Sequence, residues 1–148
     1  LMSKINRFLD LMASPFFNLA HWLLRLGLGI SFFLHGFGKL PISPGFVQWL
    51  GSKGVFAPDV LAPLVAWGEI LAGIGIILGG ILSSTKDLGN IITRISGGAV
   101  ATIMIFAIYI AHSNWALFIG ERGQVLFASE QIFLLFLGIY FAIRGNNL

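Results

Sequence analysis

Four long apolar runs are separated by segments that carry the charges and prolines. The runs fall at about 16–37, 60–82, 91–111 and 125–143. Each is close to the roughly 20 residues a helix needs to cross a hydrocarbon core about 30 Å thick. None alternates apolar and polar residues as a barrel strand would. The pattern predicts an all-α integral membrane protein, a four-helix transmembrane bundle in one domain over residues 1–148. Ahead of the first run, Ile5, Phe8, Leu9 and Met12 recur at helical spacing between Lys4, Arg7 and Asp10, which predicts an amphipathic lead-in at the membrane interface. The first run is too long for a signal-peptide core and has no small-residue cleavage site, so it is read as retained. Leu1 in place of methionine reads as a processed, truncated or unusual start.

The first loop, from Lys39 to Asp59, holds Pro41, Pro44 and Pro58, yet also Phe46, Val47, Trp49, Leu50 and Phe56. That mixture predicts a short interfacial helix with Trp49 at headgroup level. Ser83 to Asn90 reads as a tight polar turn, and His112 to Gln124 as a second loop. His21, Trp22, Trp49, Trp67 and Trp115 sit where interfacial belts are expected, and the phenylalanines read mostly as lipid-facing or packing residues.

Composition agrees with the pattern. The chain is 57% hydrophobic and 10% charged, against about 25% charged in an ordinary soluble domain. Its 19 glycines lie largely within the apolar runs, which suits close helix packing in lipid. There are no cysteines, which excludes disulfides and cysteine-held iron–sulfur clusters within this chain. The net charge of +3 sits mostly at helix ends and loops, so it reads as topology and not as a nucleic-acid footprint. Four spans put both termini on one side. Lys4, Arg7, Lys86 and Arg144, with Arg94 close by, share that side, against Lys39, Lys53 and Arg122 opposite. The positive-inside rule then predicts cytoplasmic termini.

The informative residues are those that break the apolar runs. Glu69 is the only ionisable group between Val60 and Leu82. An acid at the centre of a spanning helix costs about 2.5–3.5 kcal/mol on insertion scales, so a partner or a function is expected. With alternating helix direction, Glu69 lies roughly 13 Å and Glu130 roughly 8 Å below the surface that carries the two large loops. His35, Lys39 and His112 fall at the same, outer, end, and Arg25 lies alone in the inner half of the first span. At about 100° per residue, Arg25, Gly29, Phe32, Gly36 and Lys39 share a face of the first span. Glu69, Ala72, Gly73, Ile76 and Gly80 share one of the second. Small residues four apart (Gly68/Ala72, Gly75/Gly79, Gly97/Ala101, Gly138/Ala142) predict close helix approaches. The small-residue faces tend to carry the polar groups, so an outer-half polar pocket is expected, with Arg25, His35, Lys39, Glu69, His112 and Glu130 as candidate ligand-binding residues. A faint echo pairs His35 with Glu69 and His112 with Glu130, but the loops differ greatly in length and the helices are otherwise unlike.

Four segments, in order, resemble the DoxX family of small four-helix bacterial membrane proteins. They are Arg25-Leu26-x-Leu28-Gly29, His35-Gly36-x-Gly38-Lys39-Leu40, Phe46 through Gly54-Val55-Phe56-Ala57-Pro58, and Trp67-Gly68-Glu69-Ile70-x-Ala72-Gly73 with Gly79 beyond. The resemblance is good from about Leu24 to Gly80; the second half matches mainly in layout. Gly-Val-Phe-Ala-Pro departs from the more usual Gly-Val-Pro-x-Pro, and no Thr-Arg pair directly follows the second span. The resemblance implies a multi-pass protein of the bacterial cytoplasmic (inner) membrane, with cytoplasmic termini and an association with membrane redox. The family takes its name from a subunit of a terminal quinol oxidase or thiosulfate:quinone oxidoreductase.

Two readings of the buried charges stand side by side. In one, Glu69 with His35 or Lys39 holds a quinone head group and relays its protons; in the other, Glu69 pairs with Lys39 or Arg25 to fix helix register. Arg25 divides similarly, between a contact to an anion or quinone carbonyl and a hydrogen bond to carbonyls or another subunit. Haem between His35 and His112, or zinc on those histidines with Glu69 and Glu130, finds the ligand types but no metal spacing, so no metal site is assigned. The expectation is an accessory subunit of an oxidoreductase complex that binds quinone or another small apolar ligand. It carries no cofactor of its own. Its partners are the lipid bilayer and other membrane or redox subunits, with homo-oligomers compatible and no nucleic acid. The alternatives are a purely structural or assembly subunit and a small transporter or proton-conducting protein.

Overall fold

A computed structural model describes residues 1–147, except for the side chain of Lys86. Leu148 and that side chain, counted among the charges on the terminal side, therefore lie outside the described residues. Six α-helices follow in chain order: α1 Met2–Ala13, α2 Phe17–Phe37, α3 Pro44–Ser52, α4 Pro58–Ile81, α5 Lys86–Ala111 and α6 Glu130–Arg144. Among the described residues there is no β-strand, only one isolated bridge between Ala116 and Val125.

Three stretches are long and apolar enough to cross a membrane: Met2–Phe37, Pro58–Ser84 and Asp87–Ala111. The fourth expected span differs. It breaks into a 3-10 turn over Leu126–Ala128, an extended Ser129, and α6 of 15 residues. At 1.5 Å per residue α6 is about 22 Å long, shorter than a straight spanning helix, yet the chain runs from the end of the bundle that holds His35 to the end that holds Arg25. The loop before it explains the shortening. Ala116 N–H donates to Gln124 O and Leu126 N–H to Ala116 O, so the backbone around Val125 is engaged with the loop and cannot enter a helix. The expected polar turn at 83–90 is also shorter than anticipated, because α5 begins at Lys86. Asp87 in its first turn suits the positive end of the helix dipole.

α3 is the short helix expected in the first loop. Ser43 caps it by accepting the Phe46 N–H at 3.1 Å, and Pro44 occupies the first turn, where its missing N–H costs nothing. The helices pack in the order α2, α4, α5, α6, and α6 meets α2 only sparsely to close the ring. Leu28, Phe32, Ala72, Ile76, Val100, Met104, Leu134 and Phe141 form the core. α1 continues α2 through a 3-10 turn at Ser14–Phe16 and leaves all its residues exposed.

Close approaches of α2 and α4 need the absence of side chains at two places. A Cβ on Gly73 would sit 2.6 Å from Phe33 N, and one on Gly36 would sit 2.9 Å from both Glu69 Cβ and Ile70 Cγ1. Gly36 thus brings α2 against the turn of α4 that carries Glu69. The faces expected to turn inward do so: Arg25, Gly29, Phe32 and Gly36 are buried on α2, and Glu69, Ala72, Gly73, Ile76 and Gly80 on α4.

Candidate functional site

The structure distributes the six candidate residues over four places. At the outer end of α2, Lys39 lies just past the helix terminus and reaches down to Glu69. Its Nζ donates to Glu69 Oε2 at 2.6 Å and to His35 O at 3.0 Å. Glu69 is 5% exposed. The expected partner of the buried carboxylate is therefore Lys39, and its ammonium fills the space beside it.

On the neighbouring side of α2, His35 bridges to α6. Its Nδ1 lies 2.7 Å from Ser31 O and its Nε2 3.1 Å from Glu130 Oε1. A carbonyl oxygen only accepts, so Nδ1 carries the proton and donates to Ser31. A neutral ring then has a bare lone pair at Nε2, facing an oxygen that, as carboxylate, also has only lone pairs. The contact is attractive only with one proton in it, as imidazolium with carboxylate or as imidazole with carboxylic acid. Both side chains are open to the surroundings, at 35% for His35 and 60% for Glu130. The pair spans the α2–α6 seam, where the helix ring is most thinly packed.

Arg25 lies deep in the bundle and is 1% exposed. Among the described residues it makes no ion pair. Its Nη1 donates to Ile76 O at 2.7 Å and to Thr93 Oγ1 at 3.1 Å, and its Nη2 donates to Asn146 Oδ1 at 2.5 Å. Thr93 Oγ1 donates onward to Asn146 Oδ1 at 2.8 Å. Asn146 is anchored in turn: its Nδ2 donates to Gly79 O and its backbone N–H to Asn90 Oδ1, both at 2.9 Å. The guanidinium carbon also stands 4.9 Å from the Phe141 ring centroid, a cation–π contact. Gly145 (φ 57°, a conformation open to glycine) turns the chain after α6 back into the bundle, so that Asn146 reaches the arginine. Gly80 leaves the room, since a Cβ there would lie 2.8 Å from Arg25 Cδ. Sequence reasoning anticipated carbonyl contacts for Arg25 but missed Thr93, Asn90 and Asn146. Thr93 just inside an apolar span, three residues after Asn90, with Gly-Asn-Asn after the last helix, was the available signal.

His112 stands apart from all three. Its ring packs edge-on to Trp115 at 4.1 Å, in the wall of a groove of about 510 Å³ between the end of α5, the second loop and α6. Neither this groove nor a second hollow of about 400 Å³ beside α3 is lined by Glu69, Lys39, His35 or Glu130. The six candidates do not surround one common cavity. Among the described residues no group of three or more His, Asp or Glu is placed to hold a metal ion.

Residues 20–86, from early α2 to the first residue of α5, match the DoxX family. The chain is also similar to a protein of Bacillus subtilis (strain 168) named "Putative oxidoreductase CatD", at 28% identity over 99 residues, covering 67% of this chain and 70% of that one. No solved structure matches the chain.

Proposed function

We propose, for a multi-pass membrane protein that carries a DoxX-family segment over residues 20–86, that it is an accessory subunit of a quinone-linked redox complex. In this reading the His35–Glu130 pair is the point at which a quinone in the membrane exchanges a proton. Reduction of a quinone to quinol takes two electrons and two protons. Here the electrons come from a partner subunit, the pair supplies one proton to a ring oxygen, and both the second proton, for the other ring oxygen, and the proton that refills the pair come from the outer aqueous side. The observation that carries the proposal is the hydrogen-bond arithmetic at His35. With Nδ1 in contact with Ser31 O, Nε2 stands 3.1 Å from Glu130 Oε1 at the exposed α2–α6 seam, a geometry in which the two side chains can share a proton. Lys39 and Glu69 form a separately neutralised pair one helix face away. Lys39 also donates to His35 O, which fixes the end of α2 that presents the imidazole. The name of the Bacillus relative fits an oxidoreductase setting. On this reading the protein sits in the bacterial inner membrane with its termini in the cytoplasm.

The inner half supports a different role. Arg25 is enclosed and bonded to neutral groups, which suits helix register and assembly better than a conduction path, since a path through the bundle would have to displace the Arg25–Asn146 contact. The experiment for the quinone reading is a count of quinone per chain in organic extracts of the detergent-purified protein. Wild type should retain quinone, and Glu130→Gln should retain less, by about one quinone per chain at equal yield. Equal quinone content in the two proteins would sink the proposal and leave the assembly role.

A further inference from the structure

We infer that the groove walled by His112 and Trp115 is a second, separate binding site for a neutral planar ring that carries a carbonyl or hydroxyl oxygen and an apolar tail. The groove lies at the outer end of the bundle, where Tyr109 of α5, His112 and Trp115 of the loop, Leu126, and Ile132 and Leu135 of α6 line it. Its volume of about 510 Å³ falls within the roughly 300–1,000 Å³ typical of sites for small molecules. The walls are mainly apolar and aromatic, with the His112 imidazole and the hydroxyls of Tyr109 and Ser113 as the polar groups, the composition of a site that holds a ring by burial and orients it by a few polar contacts. That imidazole is unsatisfied. His112 makes no side-chain hydrogen bond among the described residues, and its Nδ1 is closed off from solvent without a partner. A buried polar nitrogen left unpaired is unfavourable, and a small turn of the ring toward a ligand oxygen relieves it. Either ring nitrogen can donate or accept according to tautomer, so a carbonyl or a hydroxyl is equally suitable. No charged side chain lines the groove, which selects a neutral ligand. Tyr109 is largely exposed and leaves the groove open at the side, so the tail can extend into the lipid.

The site is independent of the His35–Glu130 pair. Around α6, Ile132 and Leu135 lie about 140–200° from Glu130 at 100° per residue, so the two sites are on opposite faces of that helix. The inference therefore stands or falls apart from the proton-exchange reading.

Decyl-benzoquinone is a suitable probe, because its ring has carbonyl oxygens and quenches indole fluorescence on contact. Titrated into the detergent-solubilised full chain, it should give a saturable quenching component. That component should disappear in Trp115→Phe and persist in Glu130→Gln. Its midpoint should rise at least fivefold in His112→Phe, and likewise in Leu135→Phe, which fills the groove without touching the imidazole. Elution volume identifies the variants that remain folded, and either of the last two suffices. Decane, which has the tail without the ring, should not displace the probe. Quenching that only rises linearly with micellar probe, that survives Trp115→Phe, or that is unchanged in the folded His112 or Leu135 variant would overturn the inference. Loss of the component in Glu130→Gln alone would move the ring to the α2–α6 seam and overturn it as well.

Discussion

Replacing Lys39 by methionine keeps most of the side-chain volume and removes the ammonium from a carboxylate that the bundle encloses. In the wild type, Nζ stands 2.6 Å from Glu69 Oε2, and the Glu69 side chain is 6% exposed against 26% for Lys39. Breaking a fully buried pair by removing one partner costs about 3–5 kcal/mol. The partial exposure of Lys39 lets water and headgroups screen the pair, which lowers the expectation to about 2–3 kcal/mol. An independent upper bound comes from neutralising the orphaned acid. Protonating a carboxylate of ordinary pKa near 4.3 at pH 7 costs about 4 kcal/mol, at 1.36 kcal/mol per pH unit. The deficit of Lys39→Met should therefore be about 2–4 kcal/mol at pH 7. At pH 5 the same bound falls to about 1 kcal/mol, so the gap to wild type should narrow as pH is lowered. Adding Glu69→Gln to Lys39→Met should recover at least about 1 kcal/mol, because the second change removes the stranded charge. Equilibrium unfolding in mixed micelles of dodecyl maltoside and sodium dodecyl sulfate measures all three proteins at both pH values. A Lys39→Met protein within about 0.5 kcal/mol of wild type at pH 7, or a double variant no better than the single, would refute the reasoning that Lys39 is what compensates Glu69.

Three further outcomes follow from the packing and the buried hydrogen bonds. Gly36→Val should lower stability by about 1–3 kcal/mol, the usual cost of overpacking, because its Cβ would meet Glu69 Cβ and Ile70 Cγ1 at 2.9 Å. Gly27→Ala, with nothing within 4 Å of the added atom, should be neutral or slightly stabilising in the same assay. Asn146→Ala removes the acceptor shared by Arg25 and Thr93 and should cost about 2–3 kcal/mol, as expected when a charged donor loses its partner in a buried site. It should also speed hydrogen exchange at the start of α5, and unchanged exchange there would show that the C-terminal turn does not hold the inner end.

Much of this architecture was legible in the chain. Membrane class, the all-helical fold, three of the four long segments and the inward faces of α2 and α4 follow from apolar run length and from a 3.6-residue period. Those are local properties: each helix satisfies its own backbone, and an apolar run in lipid has almost no other option. The short helix in the first loop was similarly visible, since Ser43-Pro44 is a local start signal. Glu69 announced itself as a charge in need of a partner, and Lys39 was among the partners its position allowed. The start of α6 was not legible, because the loop's backbone contacts between Ala116, Gln124 and Leu126 decide it, and those depend on a turn eight or more residues away.

Which polar groups meet was decided by the tertiary structure. Helical period places a residue on a face, but not at a given rotation against a neighbour, and a rotation of one residue, about 100°, moves a side chain to a different helix. So the sequence grouped six residues into one pocket, whereas packing pairs Lys39 with Glu69 and His35 with Glu130, sends Arg25 to Asn146, and leaves His112 in a groove of its own. The Arg25–Asn146 contact joins residues at opposite ends of the chain through a glycine turn. No local pattern encodes such a contact; it exists because α2, α4, α5 and α6 enclose an arginine that has no water to bond to, and the returning C-terminal turn brings the acceptor.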